Sequence, residues 1–149
     1  MSKSEVNVGG ALGAGMTAGT AYLAAMWADN KLSSHHFNDL KLVGQIFTTK
    51  SPLWIIQGVV THYGFSAVVA LAYAAWGYRR LPGPPWVKGL IFLQIENTTL
   101  YPLAAIMDRF HAGVRSGQLP PVLKWKSYWG QVLRHIAFGV VLGALYRAK

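Results

Sequence analysis

The run Trp86-Val-Lys-Gly-Leu-Ile-Phe-Leu-Gln-Ile-Glu-Asn-Thr-Thr-Leu-Tyr-Pro-Leu-Ala-Ala-Ile-Met107 decides how the chain is read. It is apolar at both ends and long enough for a bilayer crossing, which takes about 20 helical residues. Polar side chains interrupt it from Gln94 to Thr99. At membrane depth Glu96 is an acid whose charge is costly, so it calls for a partner, and His62 and His135 are the candidates. Gln94 and Asn97 beside it, and Gln57 in an earlier apolar run, are further polar groups expected inside the membrane. Pro102 cannot donate to the carbonyl of Thr98 and predicts a kink, with the Thr98 and Thr99 hydroxyls placed to cover the freed backbone groups.

Composition supports the membrane reading. Of 149 residues, 52% are hydrophobic and 13% charged, against about 25% charged in soluble domains. The 14 Lys and Arg sit singly or in pairs at the edges of apolar runs. That suits lipid headgroups and other subunits as partners, and it argues against nucleic acid, which wants a clustered basic face. The six tryptophans, Trp27, Trp54, Trp76, Trp86, Trp125 and Trp129, lie at or near the ends of those runs, as interfacial aromatics do. Absence of cysteine excludes disulfides, thiolate catalysis and cysteine-ligated metals.

Four spans are predicted: Val8 to Trp27, Leu53 to Trp76, Trp86 to Met107 and Tyr128 to Tyr146. The apolar run after the short, mixed-charge start is long enough to be a retained first helix, so no cleaved leader is expected. Ala11, Gly15 and Gly19 recur at four-residue spacing in it, and small residues at i and i+4 let helices approach closely. Between Asp29 and Pro52, His36, Phe37, Leu40, Val43 and Phe47 recur at helical spacing and predict a short amphipathic helix. His35 and His36 are adjacent and point about 100° apart on a helix, with only Asp39 near, so no metal site is expected. Prolines between Leu81 and Pro85 enforce a tight return before the third span.

Spans two and four align without gaps. Val60-Thr-His-Tyr-Gly-Phe-Ser-Ala-Val-Val-Ala-Leu-Ala-Tyr73 matches Leu133-Arg-His-Ile-Ala-Phe-Gly-Val-Val-Leu-Gly-Ala-Leu-Tyr146, pairing His62 with His135 and Tyr73 with Tyr146. Ser66 and Ala70 match Gly139 and Gly143, a small-residue stripe on the face of each histidine. Tyr22 to Asp29 pairs more weakly with Tyr101 to Asp108, which sets Thr17 opposite Glu96. The expected fold is all-α and polytopic: one membrane domain of two tandem helix hairpins, residues 8–80 and 86–149, with four transmembrane helices and short amphipathic segments in the loops. The pattern resembles a group of small four-helix bacterial inner-membrane proteins. That resemblance implies a fold and a location, integral to a bacterial inner membrane, and no activity.

Three functions compete for His62, His135 and Glu96. No catalytic spacing is present, and neither Gly-x-Ser-x-Gly nor a close carboxylate pair occurs, so no enzyme is expected. The leading expectation is a structural accessory subunit of a larger membrane complex of respiratory or photosynthetic electron transfer, holding no cofactor itself, with helix packing through Gly15, Gly19, Gly139 and Gly143. One alternative makes His62 and His135 the axial ligands of a haem or chlorophyll. The other makes Glu96 and a histidine a proton relay in a transporter.

Overall fold

A computed structural model describes residues 6–33, 36–46, 49–50 and 52–149. These form six helices and no strand among the described residues. His35 and Phe47 lie outside them. Helix α1 spans Val8–Leu32, running five residues past Trp27 and drawing Asp29 and Asn30 into the helix. Asn7 caps it, accepting from the Gly10 amide at 3.0 Å, and donates through its side chain to the Arg147 carbonyl at 3.1 Å, tying the two ends of the chain together. Helix α2, Asp39–Gly44, is the expected amphipathic segment cut to six residues. Asn38 caps it, and Asn30 pins the approach to it by exchanging two hydrogen bonds with the Phe37 backbone, at 2.9 and 3.1 Å.

Helix α3 covers Trp54–Arg80 and widens into a π turn at Tyr73–Gly77. At its end Gly77 sets a bare backbone against α4: a β-carbon there would stand 2.7 Å from the Phe92 ring. Gly83, at φ +95°, makes the return into α4, whose first residue is Pro85. Helix α4 spans Pro85–Phe110 and tightens to a 3₁₀ turn at Tyr101–Leu103, so Pro102 disturbs the helix where expected. The Thr98 hydroxyl, however, meets the Tyr128 hydroxyl at 3.3 Å instead of covering the backbone. A short α5, Ala112–Arg115, precedes α6, Trp125–Leu145.

The expectation of four spans holds only in part. α3 and α4 are long and apolar enough to cross a membrane. α1 and α6, with 25 and 21 residues, reach about 30 Å or more at 1.5 Å per residue, yet their composition is less apolar. Glycine and threonine dilute α1, and the first half of α6 carries Lys126, Gln131, Arg134 and His135.

Helix α6 packs between α1 and α4, and α1 also packs on α3. The contacts follow the small residues. A β-carbon on Gly15 would lie 2.6 Å from the Ala70 β-carbon, and one on Gly19 would lie 2.6 Å from the Ser66 hydroxyl. On the other side, Gly139 and Gly143 face Gly89 and Pro85, with a β-carbon on Gly139 reaching 2.9 Å from the Leu90 Cα. Thus the stripe on α3 meets α1, and the matching stripe on α6 meets α4. Tyr73 and Tyr146, aligned in the sequence, come together with ring centroids 5.9 Å apart. The core is otherwise slim, built on Ala11, Ala14, Ala18, Leu93, Phe138 and Leu142. Large apolar side chains turn outward instead: Ile55, Ile56, Val60 and Val68 on α3, Ile95, Leu103 and Ile106 on α4, and Leu133 on α6 are all about half exposed or more.

Candidate functional site

The functional side chains meet where α1, α2, α4 and α6 converge. Arg134 on α6 is buried, its side chain 1% exposed. Its two terminal nitrogens reach Asp29 on α1, at 2.7 Å, and Asp39 at the start of α2. Asp39 then accepts from the Gln131 amide at 2.6 Å, and the Gln131 carbonyl oxygen accepts from the Tyr22 hydroxyl at 2.5 Å. Phe37 covers the guanidinium, 5.9 Å from ring to carbon. An arginine can be buried here because two carboxylates share its charge and accept from its two terminal nitrogens, Nε alone of its nitrogens having no partner, while the cation without them would be an expensive buried ion.

Neither Asp29 nor Arg134 was singled out by sequence reasoning. Asp29 read as the first residue of a loop and Arg134 as one more interfacial cation. The available signal was the position of Arg134 next to the repeated His135, about two turns into an apolar span, where an unpaired arginine has no reason to be.

Both histidines face Tyr22. Its ring centroid lies 5.3 Å from that of His62 and 5.3 Å from that of His135. His62 Nε2 lies 3.0 Å from the Gly19 carbonyl, which can only accept, so this nitrogen carries the proton. His135 Nδ1 likewise donates to the Gln131 backbone carbonyl at 2.7 Å. Its Nε2 stands 3.2 Å from Glu96 Oε2, at ion-pair distance, though the approach is not aligned as a hydrogen bond and that oxygen has no aligned donor. The expected partner of Glu96 is therefore His135, not His62.

His62 Nε2 is engaged by the Gly19 carbonyl and His135 Nδ1 by the Gln131 backbone carbonyl, and the Tyr22 ring packs against both histidines. Here both rings serve as packing contacts, His62 across to α1 through Nε2 and His135 within α6 through Nδ1.

The other candidate polar residues divide. Gln94 donates across the helix pair to the Val132 carbonyl at 3.3 Å. Asn97 is buried, yet its Nδ2 has no hydrogen-bond partner. Gln57 does not join them: it lies exposed on the first turn of α3. Helical phase explains the difference, since the face carrying Gly58, Ser66 and Ala70 packs inward and Gln57 points away from it.

Beside this polar seam lies a cavity of about 440 Å³ between α3 and α4. Tyr22, His62, Glu96, Asn97, Gln131 and His135 form its polar side, and Phe65, Val69, Leu93, Leu100, Leu103 and Met107 its apolar walls. Phe65, Leu100 and Leu103 are about half exposed and mark an open rim. At the far end the helices close together through Tyr73 and Phe92, whose ring centroids are 5.5 Å apart.

At the loop end, His111 was also missed. Its Nε2 donates to the Leu42 carbonyl at 2.6 Å while Nδ1 accepts from the Gly113 amide at 3.0 Å, so one ring ties α2 to the cap of α5. Asp108 accepts from the Val122 and Leu123 amides at 2.5 and 2.9 Å and holds the loop into α6.

No protein family, curated protein or solved structure matches the chain. Its chemistry is therefore read from its own residues.

Proposed function

We propose that the chain is an integral membrane protein of four spans, placed in a bacterial inner membrane, acting as an accessory subunit of a larger membrane assembly and catalysing no reaction of its own. One observation carries the membrane part: in the apolar windows of α3 and α4 only 22% and 17% of residues are buried. A core helix of a soluble protein hides such a window, and these two turn it outward, as lipid-facing helices do. Cation–aromatic pairs at the helix ends, Lys31 with Trp27 and Arg80 with Trp76, suit the two interfaces of a bilayer. The accessory role is supported by how the polar groups are used. Arg134, Asp29, Asp39, Gln131, Tyr22 and His62 bind one another or the backbone, which stabilises a scaffold. Extraction from native membranes in a mild detergent tests both parts. Resistance to an alkaline carbonate wash and co-purification of stoichiometric subunits are expected; a chain released by the wash, or recovered alone, would refute the corresponding part.

A second reading, proton-linked transport, has the contact of Glu96 with His135 beside an open cavity in its favour. It requires a proton flux in liposomes that Glu96→Gln abolishes, and absence of flux in the unsubstituted protein would remove it.

A further inference from the structure

The end of the bundle where α3 turns into α4 and Asn7 binds Arg147 carries charge of one sign. Arg79 and Arg80 close α3, Lys88 is the fourth residue of α4, and Arg147 and Lys149 follow α6. No Asp or Glu joins them among the described residues: Asp29, Asp39 and Asp108 belong to the opposite end and Glu96 stands midway along α4. The cations are also held in place. Lys88 Nζ donates to the Tyr78 carbonyl at 2.9 Å and Arg147 Nη1 to the Tyr146 carbonyl at 2.8 Å, and the rings of Tyr78 and Tyr146 lie 5.0 Å apart. Like charges gathered in this way repel one another, and no acid in the first turn of α4 offsets the positive end of that helix. What this end lacks is an anion from outside the described fold.

We infer that this end seats on the phosphates of anionic bilayer lipids, in preference to zwitterionic ones. Charge complementarity argues for the sign, since basic residues beside a membrane span are drawn to an anionic leaflet and a zwitterionic head offers no net charge. The tryptophans argue for the depth. Trp76 and Trp86, both about half exposed, flank the cations, and Arg80 lies over the Trp76 ring at 5.6 Å. Such rings sit at the level of the headgroups, so the exposed Arg79, Arg80, Arg147 and Lys149 reach the phosphates beside them. This inference rests on the membrane reading and gives it a lipid class. An acidic surface on a neighbouring subunit is the competing occupant.

Because the chain has no cysteine, a single introduced thiol reports on its own surroundings. Leu145→Cys, at the end of α6 and 52% exposed, is labelled with bimane in the full-length protein. The protein is reconstituted into phosphatidylcholine vesicles and its flotation with them confirmed. Phosphatidylglycerol or phosphatidylcholine with a nitroxide high on the acyl chain is then added as quencher. The quenching curves should give phosphatidylglycerol the higher affinity by roughly 1.4- to fivefold, the range of one exposed ion pair. Salt at about 1 M, where the screening length is roughly 3 Å, should remove the preference. Combining Arg79→Gln, Arg80→Gln, Arg147→Gln and Lys149→Gln should bring the two lipids to parity at Leu145→Cys. The same label on Leu123→Cys, at the opposite end, should read as it did before those four changes, which shows that the variant is folded and the effect local. Equal quenching by the two lipids in the chain without the four changes, or a preference that survives them or the salt, would overturn the inference, as would a fall at both label positions. Equal quenching together with a subunit that co-purifies until the four changes are made assigns the patch to an acidic protein partner instead. A protein that fails to float overturns the membrane reading and this one with it.

Discussion

Arg134 Nη2 lies 2.7 Å from Asp29 Oδ2, joining the middle of α6 to the end of α1 across 105 residues of chain. The same guanidinium binds Asp39, so one side chain holds three helices. Arg134→Met leaves the buried Asp39 and the part-buried Asp29 without a cation, and breaking a buried pair in this way costs about 3–5 kcal/mol. Thermal unfolding in detergent should show that loss. Adding Asp29→Asn and Asp39→Asn to the same chain should recover part of it. A triple variant no more stable than Arg134→Met would show that Arg134 does not act through these two acids.

Gly13 and Gly15 are two residues apart on α1 and answer opposite questions. A β-carbon at Gly15 would meet Ala70 at 2.6 Å and the Ser66 carbonyl at 2.9 Å, while one at Gly13 meets nothing within 4 Å. Gly15→Ala is expected to destabilise by about 1–3 kcal/mol through overpacking. Gly13→Ala is expected to be neutral or to stabilise by up to about 1 kcal/mol through helix propensity. Parallel melts decide it, and equal effects would mean that α1 and α3 do not pack as described.

Val68 is 63% exposed midway along α3. On a protein surface in water, Val68→Lys changes stability by no more than about 0.5 kcal/mol. At the centre of a membrane span the same lysine costs about 2.5–3.5 kcal/mol. The yield of carbonate-resistant protein in the membrane fraction should therefore fall sharply for Val68→Lys. An undiminished yield would count against α3 as a span.

Haemin titrated into the purified protein should give no two-histidine absorption spectrum, because His62 Nε2 is engaged by the Gly19 carbonyl and the Tyr22 ring packs against both histidines. A Soret band lost in both His62→Ala and His135→Ala would contradict this arrangement.

His111→Ala removes the bond to the Leu42 carbonyl and the cap of α5 together. Hydrogen exchange should quicken in residues 39–46 and 112–116, with a global cost of about 1–2 kcal/mol. Exchange confined to the α5 cap would show that α2 is held by other contacts.

The helices, the small-residue stripes and the matched pair of histidines were readable from spacing, because helical period and side-chain size are local properties. So was the kink at Pro102. The polar seam was not. Asp29 looked like loop because it follows Trp27, the expected interfacial end of the span, and α1 continues through it because Asp29, Ala28 and Asn30 are all tolerable in a helix and Arg134 holds the acid in place. Which polar residues of the apolar runs turn into the bundle was not readable either: the phase of α3 against α1 leaves Gln57 on the outer face.

By itself the sequence determined a helical chain with outward apolar faces, polar side chains set into apolar runs and close approach at Gly15, Gly19, Gly139 and Gly143. Those features follow from periodicity and from which side chains can lie where backbones nearly touch. Tertiary structure alone decided that Glu96 faces His135, that Tyr22 packs against both histidines, that Arg134 gathers Asp29 and Asp39, and that Asn97 is buried. Each of these joins residues on different helices, and their meeting depends on the rotation and tilt of whole helices, which no local pattern of residues encodes.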